Sequence, residues 1–282
     1  MDTFFIAHGA VNVVVDETVP VRSFLQSWKS DTMQETPKAI LMVSGHWDTD
    51  APTVNLVHGT NDTIHDFNGF PEFFYQLKYP APGAPDVAMR VKELLDTSGF
   101  GPVKEEKARG LDHAVWVPLM LMYPEANIPV CELSVQTGRS AEYHYNLGKA
   151  LAPLRDEGVL IIGSGHVTHN LKDRGPSDGP TPKWASDFDT WVKDSLLNGR
   201  YDEVNNCEKV QGYKRNHLKP DHLFPLHVAL GAAGKGAKAT LIHHSWTDSV
   251  ISYASYRFTA AAAVLVLPSE SVTDRWLKSA NI

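Results

Sequence analysis

Cysteine is scarce in this chain: Cys131 and Cys207 are the only two in 282 residues. That excludes a disulfide framework and a thiolate metal cluster, and leaves two buried, reduced thiols as the expectation. Positive charge is also in deficit. With 26 Lys and Arg against 33 Asp and Glu, the formal net charge is -7. Nucleic acid and anionic membranes both want a basic face, so neither is expected as a partner. Long hydrophobic runs are missing too: the longest, Ala260 to Leu267, falls far short of a bilayer span. No basic, apolar leader precedes the first strand at Thr3, and a cytoplasmic location is the expectation.

Several catalytic signatures are absent as well. There is no His-Glu-x-x-His helix of the thermolysin kind. Ser164 stands in Ile162-Gly163-Ser164-Gly165-His166, which lacks the spacing of a nucleophile elbow. Neither a dinucleotide fingerprint nor a P-loop follows any apolar run, and Gly231 to Gly236 is only a small-residue turn. No internal repeat or interdomain linker is visible.

What is present is histidine, 13 in all, and their placement is informative. Val159-Leu160-Ile161-Ile162-Gly163-Ser164-Gly165-His166-Val167-Thr168-His169 is an apolar run that ends in glycines and delivers two histidines. The same phrase occurs in Ala39 to Val43 followed by Ser44-Gly45-His46, and, shorter, in Phe4-Phe5-Ile6-Ala7-His8-Gly9. Such runs read as strands buried on both faces. Ligands of open α/β sheets bind beyond the carboxyl ends of the strands. Neutral imidazole is a common ligand for iron and zinc, so His8, His46 and His169 point to a metal site at those ends.

The rest of the pattern predicts a single α/β domain with a central, mostly parallel sheet flanked by helices. Helical spacing predicts helices at Val19–Lys29, Pro85–Leu95, from Asp112 to Pro124, Ala141–Leu154 and Trp184–Leu196. Further strands are expected at Thr53–His58 and Ile128–Val135, with Ala239–His244 as a last core strand and Tyr253–Phe258 at an edge. Gly59 to Gly83 is turn-rich and aromatic and reads as a binding loop or lid.

Five motifs in order carry a family resemblance: Phe5-Ile6-Ala7-His8-Gly9, Ser44-Gly45-His46-Trp47, Leu111-Asp112-His113 with Trp116-Val117-Pro118-Leu119, Gly163-Ser164-Gly165 with Thr168-His169-Asn170, and Phe224-Pro225-Leu226-His227. Together they resemble the LigB-type (class III) extradiol ring-cleavage dioxygenases, with the plant and bacterial DOPA 4,5-dioxygenase-like members as the nearest subgroup. The resemblance implies a catalytic domain over residues 1–260 and a C-terminal extension, 261–282. It implies non-haem Fe(II) held by His8, His46 and His227, a site that zinc would also accept in isolated protein. It implies His169 as the acid–base residue, with His113 a donor near oxygen or substrate, and Asp221 as an acidic alternative in the ligand set.

The implied reaction is 4,5-cleavage of DOPA, or of a related phenylpropanoid catechol, by dioxygen. The aromatic loop around His65, Phe70 and Tyr75 is the candidate pocket wall, and Lys78, Arg109 and Lys172 are candidates to meet a substrate carboxylate. A monomer or homodimer is expected. A zinc hydrolase working through the same histidines is the alternative. Two departures stand out. Ala114 replaces the glycine that usually follows Leu-Asp-His. The segment Asn170-Leu171-Lys172-Asp173 resembles general members rather than the betalain-pigment enzymes, which have a proline-containing segment there.

Overall fold

The apolar runs that end in histidine become neighbouring parallel strands, and that adjacency is what gathers the site. The computed structural model describes residues 1–261, so the expected extension lies outside the described residues apart from Ala261. In chain order the strands are β1 (Thr3–Ala7), β2 (Ala39–Asp48), β3 (Thr53–Asn55), β4 (Lys104–Glu106), β5 (Val130–Val135), β6 (Val159–Gly165), β7 (Lys238–His243), β8 (Trp246–Thr247), β9 (Ile251–Ser252) and β10 (Ser255–Thr259). Eight of them form one sheet in the order β4-β3-β5-β2-β6-β1-β10-β7, while β8 and β9 pair separately. The centre, β5-β2-β6-β1, is parallel, whereas β10 runs antiparallel to both β1 and β7. Register places Ser44 of β2 opposite Ser164 of β6, and Ala7 of β1 opposite Gly165, so the three carboxyl ends lie level.

Helices cover both faces: α1 (Pro20–Gln26), α2 (Pro85–Thr97), α3 (His113–Met122), α4 (Ala141–Leu151), α5 (Pro153–Asp156), α6 (Lys183–Leu197), α7 (Tyr201–Val204), α8 (Tyr213–Asn216) and α9 (Phe224–Ala232). Alternate residues of the central strands feed two cores. Leu41, Val43, Leu133 and Ile161 join Leu147, Phe188 and Leu226 of the helices on one face. Ile40, Met42, Leu160 and Ile162 join Leu25, Trp28 and Trp116 on the other. Full burial of such side chains stabilises by roughly 1.5–3 kcal/mol each, and burial on both faces is why these strands carry no polar alternation. Among the described residues no helix is long and apolar enough to cross a membrane. Both cysteines are buried and free, as expected.

Two strand expectations are corrected. β10 is an interior strand between β1 and β7, and β7 is the edge. Arg257 makes β10 look like an exposed strand, and its side chain does stay 42% exposed while pairing with Asp2 at 2.5 Å, but Ser255, Tyr256 and Phe258 beside it are buried. The Ala-Thr-Leu-Ile run of β7 has the composition of a core strand, yet only Ala239 of β7 is fully buried. The helix expected over Ala141–Leu154 breaks after Leu151, because Pro153 starts a new turn as α5. The first helix ends at Gln26 and passes into a wider turn, Trp28–Thr32. The strand expected over Thr53–His58 closes at Asn55.

The glycines of β6 have a steric purpose. A Cβ on Gly163 would stand 2.1 Å from the carbonyl oxygen of Pro225, and one on Gly165 would stand 2.0 Å from that of His222. The turn Pro220–His222 and the start of α9 therefore rest directly on the strand backbone. His166 N–H donates to the His222 carbonyl at 2.8 Å and locks this seat. Gly165→Ala is expected to lift that turn and destabilise the protein by about 1–3 kcal/mol in urea unfolding. An unchanged unfolding midpoint would mean that the contact relaxes freely.

Candidate metal centre

Each histidine of the cluster is delivered by the end of a regular element. His8 follows β1, His46 lies near the end of β2, and His166 and His169 follow β6. His113 is the first residue of α3, where the Asp112 side chain caps the helix by accepting from Ala114 N–H. His222 closes the 3-10 turn that sits on Gly165. His8 is central: its ring centroid lies 4.7 Å from His166, 5.3 Å from both His46 and His222, and 5.6 Å from His113. His169 stacks on His222 at 3.6 Å with the rings 10° from parallel. One nitrogen each of His8, His46 and His113 lie within 4.8 Å of one another, as do atoms of His169, Asp221 and His222. In the second group the stacked rings hold their in-plane lone pairs side by side, which does not converge on one ion.

Hydrogen bonds determine which nitrogens face the cluster. The Ser164 hydroxyl spends its proton on the Ala114 carbonyl at 2.5 Å, so toward His8 Nδ1, 3.1 Å away, it can only accept. His46 Nδ1 lies 3.1 Å from Asp66 Oδ2, and His222 Nδ1 lies 2.8 Å from Asp221 Oδ1. All three Nδ1 atoms thus carry the proton, and each Nε2 keeps its lone pair. The Nε2 atoms of His46 and His222 then face each other at 3.1 Å. Two ligand nitrogens about 2.1 Å from one ion, at angles between square and tetrahedral, stand roughly 3.0–3.4 Å apart. Without a metal, a second proton on His46 bridges the pair as a hydrogen bond to neutral His222; a divalent metal would take that proton's place, and the residues present fit one. An oxygen partner on the far nitrogen is also the usual support of a metal-bound imidazole.

Electrostatics agrees. Burial, reinforced by the neighbouring imidazoles, holds His8 and His222 well below the usual histidine range, so both are neutral imidazoles. Burial pulls His46 down as well, but Asp66, Asp112 and Asp221 outweigh it and raise the group. Burial pushes the Asp66 carboxyl upward, yet hydrogen bonds from His113 and His46 prevail and hold it far below the carboxylate range. Beneath the cluster lies a buried polar layer. Asp112 accepts from Ser44 Oγ at 2.9 Å and from Arg109 at 2.8 Å, and Ser44 Oγ in turn accepts from His46 N–H at 3.0 Å. Fully buried Glu132 shares Arg109, and burial beside Asp112 holds its carboxyl well above the usual range. Arg109, stacked on Trp47 at 4.4 Å, is thereby committed to this layer rather than to a substrate carboxylate.

His227, a ligand by the resemblance, lies outside the cluster. It lies wholly buried within the apolar helix α9, with Nδ1 3.2 Å from Asn205 Oδ1 and Nε2 3.8 Å from Cys207 Sγ. Both of its nitrogens are used in the core, whereas the Nε2 of His222 faces that of His46. Asp221 orients His222, accepting from its backbone N–H and from Nδ1–H, both at 2.8 Å. His166 is likewise spent: Nδ1–H donates to the Ser252 carbonyl at 3.1 Å, and Nε2 accepts from Gly9 N–H at 3.3 Å. Among the described residues the His169 ring has no hydrogen-bond partner, while its backbone is held by Asn216 at 3.1 Å.

In the aromatic loop, Phe67 is the residue that reaches His113, with ring centroids 6.0 Å apart. His65, Phe70 and Tyr75 pack behind it at 5.8, 5.5 and 5.0 Å. The His65 Nε2 is taken by the Leu77 carbonyl at 2.9 Å.

The residues that sequence reasoning missed are His222 and Asp66. A signal for His222 existed: it follows Pro220-Asp221 at a turn, whereas His227 interrupts an otherwise apolar helix and so reads as a packed core residue. Asp66 carries no such signal, because its partners lie 20 and 47 residues away.

Comparison with known proteins places this geometry. The family model described as the catalytic LigB subunit of aromatic ring-opening dioxygenase matches residues 2–259. A protein of Beta vulgaris named 4,5-DOPA dioxygenase extradiol is 54% identical over 92% of this chain and 97% of its own. One of Mirabilis jalapa with the same name is 50% identical over 91% of this chain and 96% of its own. Among solved structures, an uncharacterized protein of Escherichia coli K12 superposes with a TM-score of 0.75 at 33% identity, covering 91% of this chain and 99% of that one. These likenesses support ring opening and not the hydrolase alternative.

The buried histidines also set an acid limit. Burial pushes His144 and His217 down to about 4, and His166 and His227 down to about 3. Unfolded, each titrates near 6.5, so the unfolded chain binds more protons below that pH. Their contribution to stability is fully present above about pH 6.5 and is lost as the pH falls toward the folded values. Metal-free protein should lose about 1.4 kcal/mol per pH unit per such histidine between pH 6 and 4.5. Urea titrations across that window measure it, and a flat profile would contradict the neutral, buried assignment.

Proposed function

We propose, from the premise that the chain belongs to the LigB family of aromatic ring-opening dioxygenases, that it cleaves a catechol outside its two hydroxyls with Fe(II) held by His8, His46 and His222. The observation that carries this ligand set is the pair of Nε2 atoms, of His46 and His222, opposed at 3.1 Å. DOPA is the first substrate to consider, opened between its 4 and 5 carbons, since the relatives in Beta vulgaris and Mirabilis jalapa are named for that reaction. A phenylpropanoid catechol such as caffeate is the second, because the segment after His169 resembles the general members of the family.

When bound, a divalent iron supplies Lewis acidity toward the two vicinal catechol oxygens and the one-electron chemistry that dioxygen needs. The chain's residues do the rest. His169 is the proton carrier: burial among the other imidazoles holds it well below the usual range, so it is neutral and able to take a phenolic proton. His166, close by, has no nitrogen free for that task. Protonated in this way, His169 later returns the proton to the oxygen that leaves as the O–O bond breaks. His113, whose Nδ1–H donates to Asp66 at 2.9 Å, turns Nε2 toward the reacting oxygens and donates from it once that nitrogen has taken up a proton. Phe67 packs on the catechol ring, with His65, Phe70 and Tyr75 as its backing, and the aromatic wall keeps water from the opening ring.

Protein reconstituted anaerobically with Fe(II) and given DOPA or caffeate should consume one dioxygen per catechol and form a yellow product. His169→Ala should lower turnover by about 10²–10⁴-fold with metal retained. His222→Ala should lose the metal, whereas His227→Ala should retain it and lose stability instead. Iron bound without oxygen uptake across a catechol panel would refute the reading, and metal loss on His227→Ala would refute the ligand assignment.

A further inference from the structure

Asp66 lies in the irregular segment between β3 and α2, flanked by His65 and by Phe67 of the aromatic wall. That segment is stitched to the residues leading into α3: Ile64 N–H donates to the Leu111 carbonyl and Leu111 N–H to the Asp62 carbonyl, both at 2.8 Å. The stitching brings the Asp66 carboxylate against two histidines of different function. Oδ1 accepts from His113 N–H at 3.0 Å and from His113 Nδ1–H at 2.9 Å, while Oδ2 accepts from His46 Nδ1–H at 3.1 Å. No carboxylate of the cluster other than Asp66 bonds two of its imidazoles among the described residues: Asp221 serves His222 alone, and Ser164 serves His8.

We propose that Asp66 is a positioning residue that fixes the proposed ligand His46 and the proposed donor His113 in one relation, so that a single carboxylate sets metal affinity and the aim of the donor together. The inference rests on the ring-opening reading for the role of His113, but for His46 it needs only that a metal binds. Two histidine N–H groups need two acceptors. A carboxylate offers an acceptor to each ring, and both rings then keep the proton on Nδ1 with Nε2 toward the cluster. An asparagine of the same shape offers one oxygen and one NH2. Whichever ring meets the NH2 must turn or move its proton to Nε2. For His46 that removes the lone pair facing His222, and for His113 it changes which edge faces the substrate. Asp66 also ties the aromatic wall to the histidines, since Phe67 is the next residue and its ring lies 6.0 Å from that of His113.

The test uses the full-length protein with Co(II) alone as the binding and spectroscopic probe, together with Fe(II)-dependent oxygen uptake at saturating metal. Asp66→Asn is expected to weaken Co(II) binding by about 10–100-fold, to alter the visible Co(II) spectrum, and to lower kcat even when metal is saturating. Asp66→Glu, which keeps both acceptors, should recover most of the affinity. In a His113→Gln background the effect of Asp66→Asn on kcat should shrink while its effect on Co(II) affinity persists. Wild-type Co(II) affinity in Asp66→Asn, or a glutamate variant no better than the asparagine one, would overturn the proposal. So would a loss of thermal stability with unchanged spectrum and kcat, which is what a purely structural staple of the loop would show. The Co(II) measurements require no turnover, so they decide the His46 half even if the catechol reading itself were to fail.

Discussion

The structure turns on the opposition of two imidazole nitrogens, Nε2 of His46 and Nε2 of His222, 3.1 Å apart with their protons held on the far side by Asp66 and Asp221. Without a metal, the pair is held by one proton: His46, raised by its neighbouring carboxylates, donates Nε2–H to the Nε2 of neutral His222. It persists because the surroundings over-determine it. His46 is fixed by Ser44 and Asp66, and His222 by Asp221 and by its seat on Gly165. Two imidazoles held this firmly with their Nε2 atoms together are preorganised to share one cation, a proton or the proposed metal ion.

The fold supplies that scaffold economically. Three adjacent parallel strands end level, so His8, His46 and the His166–His169 turn share one crevice without any long loop having to find its place. Below the crevice, Asp112 links the elements: it caps α3 for His113 and Ala114, and through Ser44 it reaches His46. Ala114 then accepts from Ser164, which accepts from His8. Such a network is costly to leave half satisfied and rigid when complete. Its excess acidity is managed by Arg109 and by Glu132, a carboxyl that burial keeps toward its neutral form.

Much of this was legible in the sequence, and the failures have physical causes. The repeated apolar run, glycine and histidine identified the three strand ends, because strands buried on both faces admit no polar residue until they stop. The capping Asp112 and its helix were legible for the same local reason. Strand order was not: Arg257 keeps part of β10 open to solvent as an edge strand would be, and only long-range pairing with β1 and β7 sets it inside the sheet. The place of His222 in the cluster was hidden because the motif Phe224-Pro225-Leu226-His227 is more conspicuous than the turn before it. Asp66 was invisible, since its importance lies in long-range partners that no local pattern encodes. Helix periodicity says which face of α9 is buried; it does not say that His227 already has Asn205 and Cys207 for company.

The central proposal is that His8, His46 and His222 present their Nε2 atoms to one divalent ion. X-ray absorption spectroscopy of the Fe(II)-loaded protein tests it most directly, compared with the His222→Ala and His227→Ala variants. The account predicts three imidazole nitrogens at about 2.1 Å, falling to two in His222→Ala and unchanged in His227→Ala. A first shell with two imidazoles and a carboxylate, or one that loses an imidazole when His227 is removed, would contradict it.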